Sequence, residues 1–268
     1  MSVPELLLTD TGYYSLEANQ QYMSMSQFKD LMNCEAAAVA KIRGEWKEEP
    51  SDAMLAGSYV HAAMEGTLEG FKESHPEMFT KQGGLKSAFQ TAENMIATIQ
   101  SDEFITDMLD GGHEHPIIAE FAGVMWKAKL DVYNPGKGRI VDLKTVKNIY
   151  DKAWSKQEGR YVSVFDSYHW VTQLAVYSEL ERLYTGRDNR LDTYIVAVSK
   201  EDVPDKAVIH IDEERIEQEL EWVKANLDRA VMVKLGYAEP VRCEHCKYCR
   251  STKKISQAMS LAELEARI

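Results

Sequence analysis

The chain has 268 residues, 44% of them hydrophobic and 28% charged, which describes a globular protein long enough to bury a substantial core. Its formal net charge of −12 argues against a protein that coats nucleic acid non-specifically, although a local basic groove is compatible with it. No apolar run reaches the ~18 residues of a membrane span, and no basic-then-apolar leader opens the chain, so no membrane contact is expected and a cytoplasmic location is the default.

Residues 1–23 read as an irregular lead-in. Ser24 or Ser26 then caps a helix running through Phe28, Leu31 and Met32 to Ile42. Helical spacing of apolar residues over Ala53–Phe71 predicts a second helix, with His61 and Glu65 on one face. A third is expected over residues 84–110, turning Phe89, Met95, Ile96, Ile99 and Phe104 inward. Strand character takes over across 117–146, and 148–167 is indeterminate. A helix over Tyr168–Tyr184 follows, then strands at Asp192–Ser199 and Ala207–Ile211. Asp212–Leu235 reads as a helix that is acidic in its first turn. With no repeat or linker, the expectation is one domain over 1–268, an α/β (α+β) fold with a central mixed β-sheet flanked by helices. Its core covers about 24–235, a cysteine segment at 240–255 closes onto the N-terminal helix, and 256–268 form a tail.

The densest chemistry lies in Ile140-Val141-Asp142-Leu143-Lys144-Thr145. On a strand, Asp142 and Lys144 project from one face. Asn134-Pro135-Gly136-Lys137-Gly138 supplies turn chemistry, and a hairpin centred between Gly136 and Lys137 sets Asp131 across from Asp142. Two carboxylates and a lysine then converge, as a divalent-metal hydrolytic site requires; a surface hairpin with solvated charges is the equal alternative. Lys127 and Lys129 alternate with Asp131 and share its face, where they would meet a phosphate or neutralise the acids. Glu120 is either a third ligand or an exposed acid at a strand start. His61 is a ligand or a structural histidine, with Glu65 placed to orient it. Gln173 and Tyr177 share a helix face, suiting phosphate or metal-water contacts or a hydrogen-bonded pair in the core. Core packing is the expectation for Trp170.

The four cysteines are Cys34, Cys243, Cys246 and Cys249, and three of them form C-x-x-C-x-x-C. That spacing favours metal over disulfides, with His245 or Cys34 as the fourth ligand.

Taken in chain order, these motifs resemble the PD-(D/E)XK nuclease superfamily, with Asp131 as the first acid and Asp142-Leu143-Lys144 as the D-x-K element. Gly57-Ser58-Tyr59-Val60-His61 is similar to the G-x-x-x-H helix of its RecB-like and RecE-like branch. Gln173-Leu174-Ala175-Val176-Tyr177 is similar to that branch's Q-x-x-x-Y helix, whereas Lys129 stands where many relatives carry arginine. Phage-type RecE-like exonucleases are the closest likeness. The resemblance implies a restriction-endonuclease-like core. It implies Mg²⁺ or Mn²⁺ held by His61, Asp131, Asp142 and the backbone carbonyl of Leu143, with Glu120 as a candidate further ligand. Lys144 would position or help deprotonate the attacking water, and Gln173, Tyr177 and Lys129 would contact the substrate strand. It further implies 5′→3′ degradation of double-stranded DNA ends in homologous recombination, a single-strand annealing recombinase as partner, and a ring-shaped homo-oligomer. Cys34 with the late trio has the layout of relatives that close a 4Fe–4S cluster; their late spacing is longer, which keeps Zn²⁺ as the alternative. The rival readings are a single-strand exonuclease or endonuclease of the same superfamily, and an inactive DNA-binding or assembly module.

Overall fold

The structure is a computed structural model that describes residues 3–155 and 159–265. Its contacts divide the chain into two compact units. One comprises the residues up to Met25 together with Glu48–Asp228; the other comprises Ser26–Lys47 and the chain from Arg229 onward.

The first unit is built on seven strands: β1 (Gly112–Phe121), β2 (Val124–Asn134), β3 (Arg139–Val146), β4 (Lys152–Ser155), β5 (Arg160–Ser163), β6 (Asp192–Ser199) and β7 (Lys206–Ile211). Five form a mixed sheet in the order β1-β2-β3-β6-β7, and β4 pairs with β5 in a ribbon of its own. Among the strands of the described residues only β3 and β6 pair in parallel, and the long connection between them is what a parallel pair demands. β6 is buried over most of its length, and its Tyr-Ile-Val-Ala-Val run is what a strand covered on both faces needs.

Among the described residues the longer helices are α1 (Met25–Asn33) and α2 (Glu35–Ile42), which fall almost wholly in the second unit, and α3 (Asp52–Met64), α4 (Ser87–Gln100), α5 (Trp170–Thr185) and most of α6 (Glu213–Lys234) in the first. Leu55, Tyr59 and Val60 of α3 and Phe89, Met95 and Ile99 of α4 share a core with Val132, Val141, Leu143, Val196 and Val198. Because side chains alternate along a strand, Asp142 and Tyr133 point the other way, where they meet Gln173 and Glu181 of α5. Asp142 is thus set on the α5 side of the sheet. Among the described residues no helix is long and apolar enough to cross a membrane.

Several elements depart from the sequence expectation. The lead-in contains short helical turns at Asp10–Tyr13 and Leu16–Gln21, opened by the capping side chains of Thr9 and Ser15. The helix expected through Ile42 breaks at Cys34, which is extended at φ −163° and ψ 102°. The helix expected to reach Phe71 ends at Met64, and Gly66 turns the chain at φ +75°. Asp102 caps a separate turn at Glu103–Met108, which leaves Phe104 exposed rather than inward. In the tail, Leu261–Glu265 form an exposed helical turn, and 266–268 lie outside the described residues.

Candidate active site and thiol cluster

The hairpin register is the one the turn predicts: Val132 pairs with Val141, Tyr133 with Ile140 and Asn134 with Arg139. Pairing ends there, because beyond Val132 the strand β2 stays with β1 while β3 stays with β6. The sheet forks. At the fork, Asp131 Oδ2 accepts the backbone N–H of Leu143 at 3.1 Å, in place of a ladder bond. Asp142 is 1% exposed; its Oδ1 accepts from Gln173 Nε2 at 2.9 Å, and its Oδ2 lies 2.5 Å from Lys144 Nζ. That last contact is an ion pair, and no other donor among the described residues reaches this buried oxygen. Lys144 Nζ is also 3.9 Å from Asp131 Oδ2 and 5.8 Å from the centre of the Trp170 ring.

His61 reaches the fork from α3. Its Nδ1 is 3.7 Å from Asp131 Oδ2 and 3.9 Å from Glu65 Oε1. Gly57, one helical turn earlier, lets α3 approach β3: a Cβ there would stand 3.1 Å from Thr145 Oγ1. The G-x-x-x-H spacing therefore has a packing reason as well as a chemical one.

Burial pushes the Asp142 carboxyl up to about 6, and the neighbouring charge of Asp131 acts in the same direction against the pull of Lys144. Burial alone would lower the Lys144 ammonium, but Asp142 and Asp131 outweigh it and hold the amine above its ordinary value. Burial, followed by Tyr13, Asp131 and Asp142, holds the Tyr177 phenol protonated. Burial also raises Glu65, and Glu114 adds to it. The four carboxylates Asp131, Asp142, Glu65 and Glu114 thus outnumber the cations paired with them, Lys144 and Lys129, beside His61. Surplus negative charge around a buried carboxylate whose Oδ2 meets only the Lys144 ammonium is the arrangement a divalent cation neutralises, so these residues fit Mg²⁺ or Mn²⁺.

Not every expected residue reaches the fork. Glu120 is exposed and pairs with Met125, near the far turn. Asp131 lies six residues further along β2, about 20 Å away at strand rise, so Glu120 cannot ligate with it. The acid that takes its place is Glu114, which falls opposite Asp131 between the pairs His113↔Val132 and His115↔Leu130, at φ 50°. Sequence reasoning missed it by starting the strand at residue 117; the His115-Pro116 step hid the true start. Lys129, expected at the substrate, is ion-paired with Asp10 at 2.7 Å and with Glu114. Lys127 is 1% exposed and donates to the Tyr13 carbonyl and to Asn19 Oδ1 at 2.9 Å, so it meets no phosphate. Burial brings its amine down to about 8.

The second unit gathers the cysteines. Cys34 occupies the break between α1 and α2, and Cys246 caps the turn Lys247–Ser251. The sulfur separations are 3.5 Å for Cys34–Cys249, 3.8 Å for Cys34–Cys246 and 3.9 Å for Cys243–Cys249, and all four atoms lie within 4.8 Å of one another. All four thiols are free. Cys243 Sγ accepts from Cys246 N at 3.3 Å and Cys246 Sγ from Cys249 N at 3.4 Å. Burial opposes ionisation of Cys243, yet the backbone N–H groups of His245 and Cys246 bring its thiol down to about 6, while burial pushes Cys249 up to about 12. The ring Nδ1 of His245 is 2.5 Å from the Cys243 carbonyl, and Cys34 supplies the fourth sulfur instead. A tetrahedron of sulfurs around one ion, with bonds of about 2.3 Å, has edges of about 3.8 Å. The observed spacing fits one tetrahedral ion. A 4Fe–4S cube, which sets four irons between the thiolates, needs a wider spread.

A solved structure shares this fold. A crystal structure of a candidate exonuclease from Eubacterium rectale superposes with a TM-score of 0.91 at 37% identity, covering 97% of this chain and 99% of that one. The crystal structure of SSO0001 covers 85% of this chain and 94% of that one at 16% identity, but its TM-score of 0.27 carries no argument. No curated protein matches the chain. Residues 24–252 match the family described as a PDDEXK-like domain of unknown function (DUF3799), a span that holds the fork, the His61 and Gln173 helices and all four cysteines. The chain belongs to this PDDEXK-like family.

Proposed function

We propose that this chain is a Mg²⁺- or Mn²⁺-dependent deoxyribonuclease that degrades linear duplex DNA from its ends, 5′→3′, in homologous recombination. The observation that carries the reading is the fork, where Asp131, Asp142 and Lys144 meet around the Leu143 amide. The PDDEXK-like family supports a nuclease, and the name of the Eubacterium rectale relative supports an exonuclease. Duplex ends, 5′→3′ polarity, a ring-shaped oligomer and an annealing recombinase as partner rest on the motif resemblance.

Asp131, Asp142, His61 and the Leu143 carbonyl would hold the cation, which when bound supplies a water of lowered pKa and offsets charge on the phosphoryl oxygens. Gln173 fixes the rotamer of Asp142 through Oδ1. Lys144, held protonated by the two aspartates, donates rather than accepts. It orients the attacking water and opposes charge growing on the phosphate. Tyr177 keeps its proton and offers it as a hydrogen bond to the scissile strand.

The test compares wild type with Asp142→Ala on linear, nicked and closed-circular duplexes, each labelled at the 5′ or 3′ end, with Mg²⁺, Mn²⁺ or EDTA. Metal-dependent loss of linear DNA alone, with the 5′ label released first, is expected. Equal loss by both proteins, or none by wild type, defeats the reading; cutting of circles makes the enzyme an endonuclease.

For the thiol cluster we assign one Zn²⁺ in a closed structural site, in place of the 4Fe–4S cluster implied by the resemblance. The support is the sulfur spacing. Colourless protein with one zinc per chain is expected, whereas brown protein carrying acid-labile sulfide would restore iron–sulfur.

A further inference from the structure

The segment between Lys144 and α5 carries a feature that the hydrolytic chemistry does not use. The ribbon β4–β5 sets Trp154 directly opposite Tyr161 and Lys152 opposite Ser163, on one face; Ala153 and Val162 take the other. Val162 is buried, whereas Trp154 is 57% exposed and Tyr161 66% exposed. Their rings touch at 5.4 Å with an interplanar angle of 76°, which leaves one of the two rings uncovered on both faces by its partner. Isolated two-stranded ribbons are marginal, and the largest side chains of this one face water.

The ribbon is tied to the fork at both ends. β3 ends two residues after Lys144, and beyond the ribbon Val164 N–H donates to the Asp151 carbonyl at 3.0 Å. The chain then runs through Tyr168 to Trp170, two rings stacked at 4.9 Å, and Trp170 lies 5.8 Å from Lys144 Nζ. Lys147 and Lys152 are exposed on this segment, with no ion pair among the described residues. In a chain of net charge −12, unpaired cations beside exposed aromatic rings, next to a phosphodiester site, select a nucleic-acid strand as occupant. A face of two rings is far below the ~800 Å² per side of a stable protein interface, but it matches one or two bases.

We propose that the Trp154–Tyr161 face stacks unpaired nucleobases of the DNA substrate, while Lys147 and Lys152 meet the phosphates of the same strand. The assignment rests on the nuclease reading above. It makes the ribbon a holder of frayed or single-stranded ends.

The test measures binding of a fluorescein-labelled oligothymidylate and of a blunt duplex, in EDTA so that nothing is cleaved, to wild type, W154F, W154A and the double variant W154A/Y161A. Stacking contributes about 1–3 kcal/mol per base, so the double variant should bind oligothymidylate roughly 5- to 150-fold more weakly. W154F should keep near-wild-type affinity, and blunt-duplex binding should change less. With Mg²⁺ and an overhanging duplex, KM should rise while kcat at saturation and the melting temperature stay put. Unchanged oligothymidylate affinity in the double variant overturns the proposal, as does a W154F defect equal to that of W154A. If wild type degrades DNA and the double variant still binds oligothymidylate, the ribbon assignment alone falls. If wild type neither binds nor degrades DNA, the nuclease reading falls with it.

Discussion

Gly57→Ala isolates the packing that carries His61 to the fork. The added Cβ would stand 3.1 Å from Thr145 Oγ1, so either α3 or Thr145 must give by a few tenths of an ångström. Against this, alanine is favoured over glycine inside a helix by about 1 kcal/mol. The two effects are of similar size, so stability should change by no more than about 1 kcal/mol, or roughly 2–4 °C in melting temperature for a protein of this size. Activity should respond more strongly. His61 lies one turn further along the same helix with its Nδ1 3.7 Å from Asp131, and Thr145 adjoins Lys144. A shift of about 1 Å in a catalytic group costs up to about 100-fold, so a loss of roughly 5- to 50-fold in kcat is expected for this smaller movement. Steady-state digestion of linear duplex with Mg²⁺, alongside thermal melts, reads both quantities. Adding Thr145→Ala removes the colliding oxygen and should restore most of the rate. Full activity in Gly57→Ala, or no recovery in the double variant, would refute the reasoning.

Three further predictions concern buried charge. Without divalent metal, the Asp142 carboxyl sits at about 6 in the fold against an ordinary 3.8, so the unfolded chain loses its proton first. Stability of the metal-free protein should therefore fall as pH rises from about 4 to 6, and Asp142→Asn should flatten that slope in denaturant titrations. Lys127 is displaced the other way, from 10.5 to about 8, so stability should rise as pH climbs between these values; Lys127→Met should abolish the rise. Gln173→Ala leaves the Oδ1 of a buried carboxylate without its donor, a cost of about 1–3 kcal/mol. It should raise the Mg²⁺ concentration needed for half-maximal rate, and an unchanged metal titration would count against the role given to Gln173.

Local chemistry made part of this legible in the sequence. The Asn-Pro-Gly-Lys-Gly turn fixes the hairpin centre, and β-branched flanks fix the strand period, so Asp131, Asp142 and Lys144 could be brought together on paper. The helical periods put Gln173 with Tyr177 and His61 with Glu65 on shared faces, while the contacts of Gln173 with Asp142 and of His61 with Asp131 come from the fold. What stayed hidden depends on contacts distant in sequence. Lys127 read as a partner for phosphate or for the acids of the Asp131 face because the chain that buries it returns from Tyr13 and Asn19, more than a hundred residues away. Glu114 belongs to the site only through the β1–β2 register, and its left-handed backbone interrupts the alternation that would have announced it. The break at Cys34 contradicts a continuous helical pattern and becomes intelligible only once three sulfurs from the far end of the chain stand beside it.

Asp131 also answers a need of the sheet itself. Where β2 and β3 part company, the Leu143 amide would be a stranded donor if this carboxylate did not receive it. Removing the acceptor costs about 1–3 kcal/mol whether or not any DNA is ever cut. Loss of catalysis by drift at this position therefore carries a folding penalty, and asparagine, which keeps an acceptor oxygen, offers the gentlest exit. An inactive descendant of this chain would be found more readily with its first acid turned to amide than with it erased.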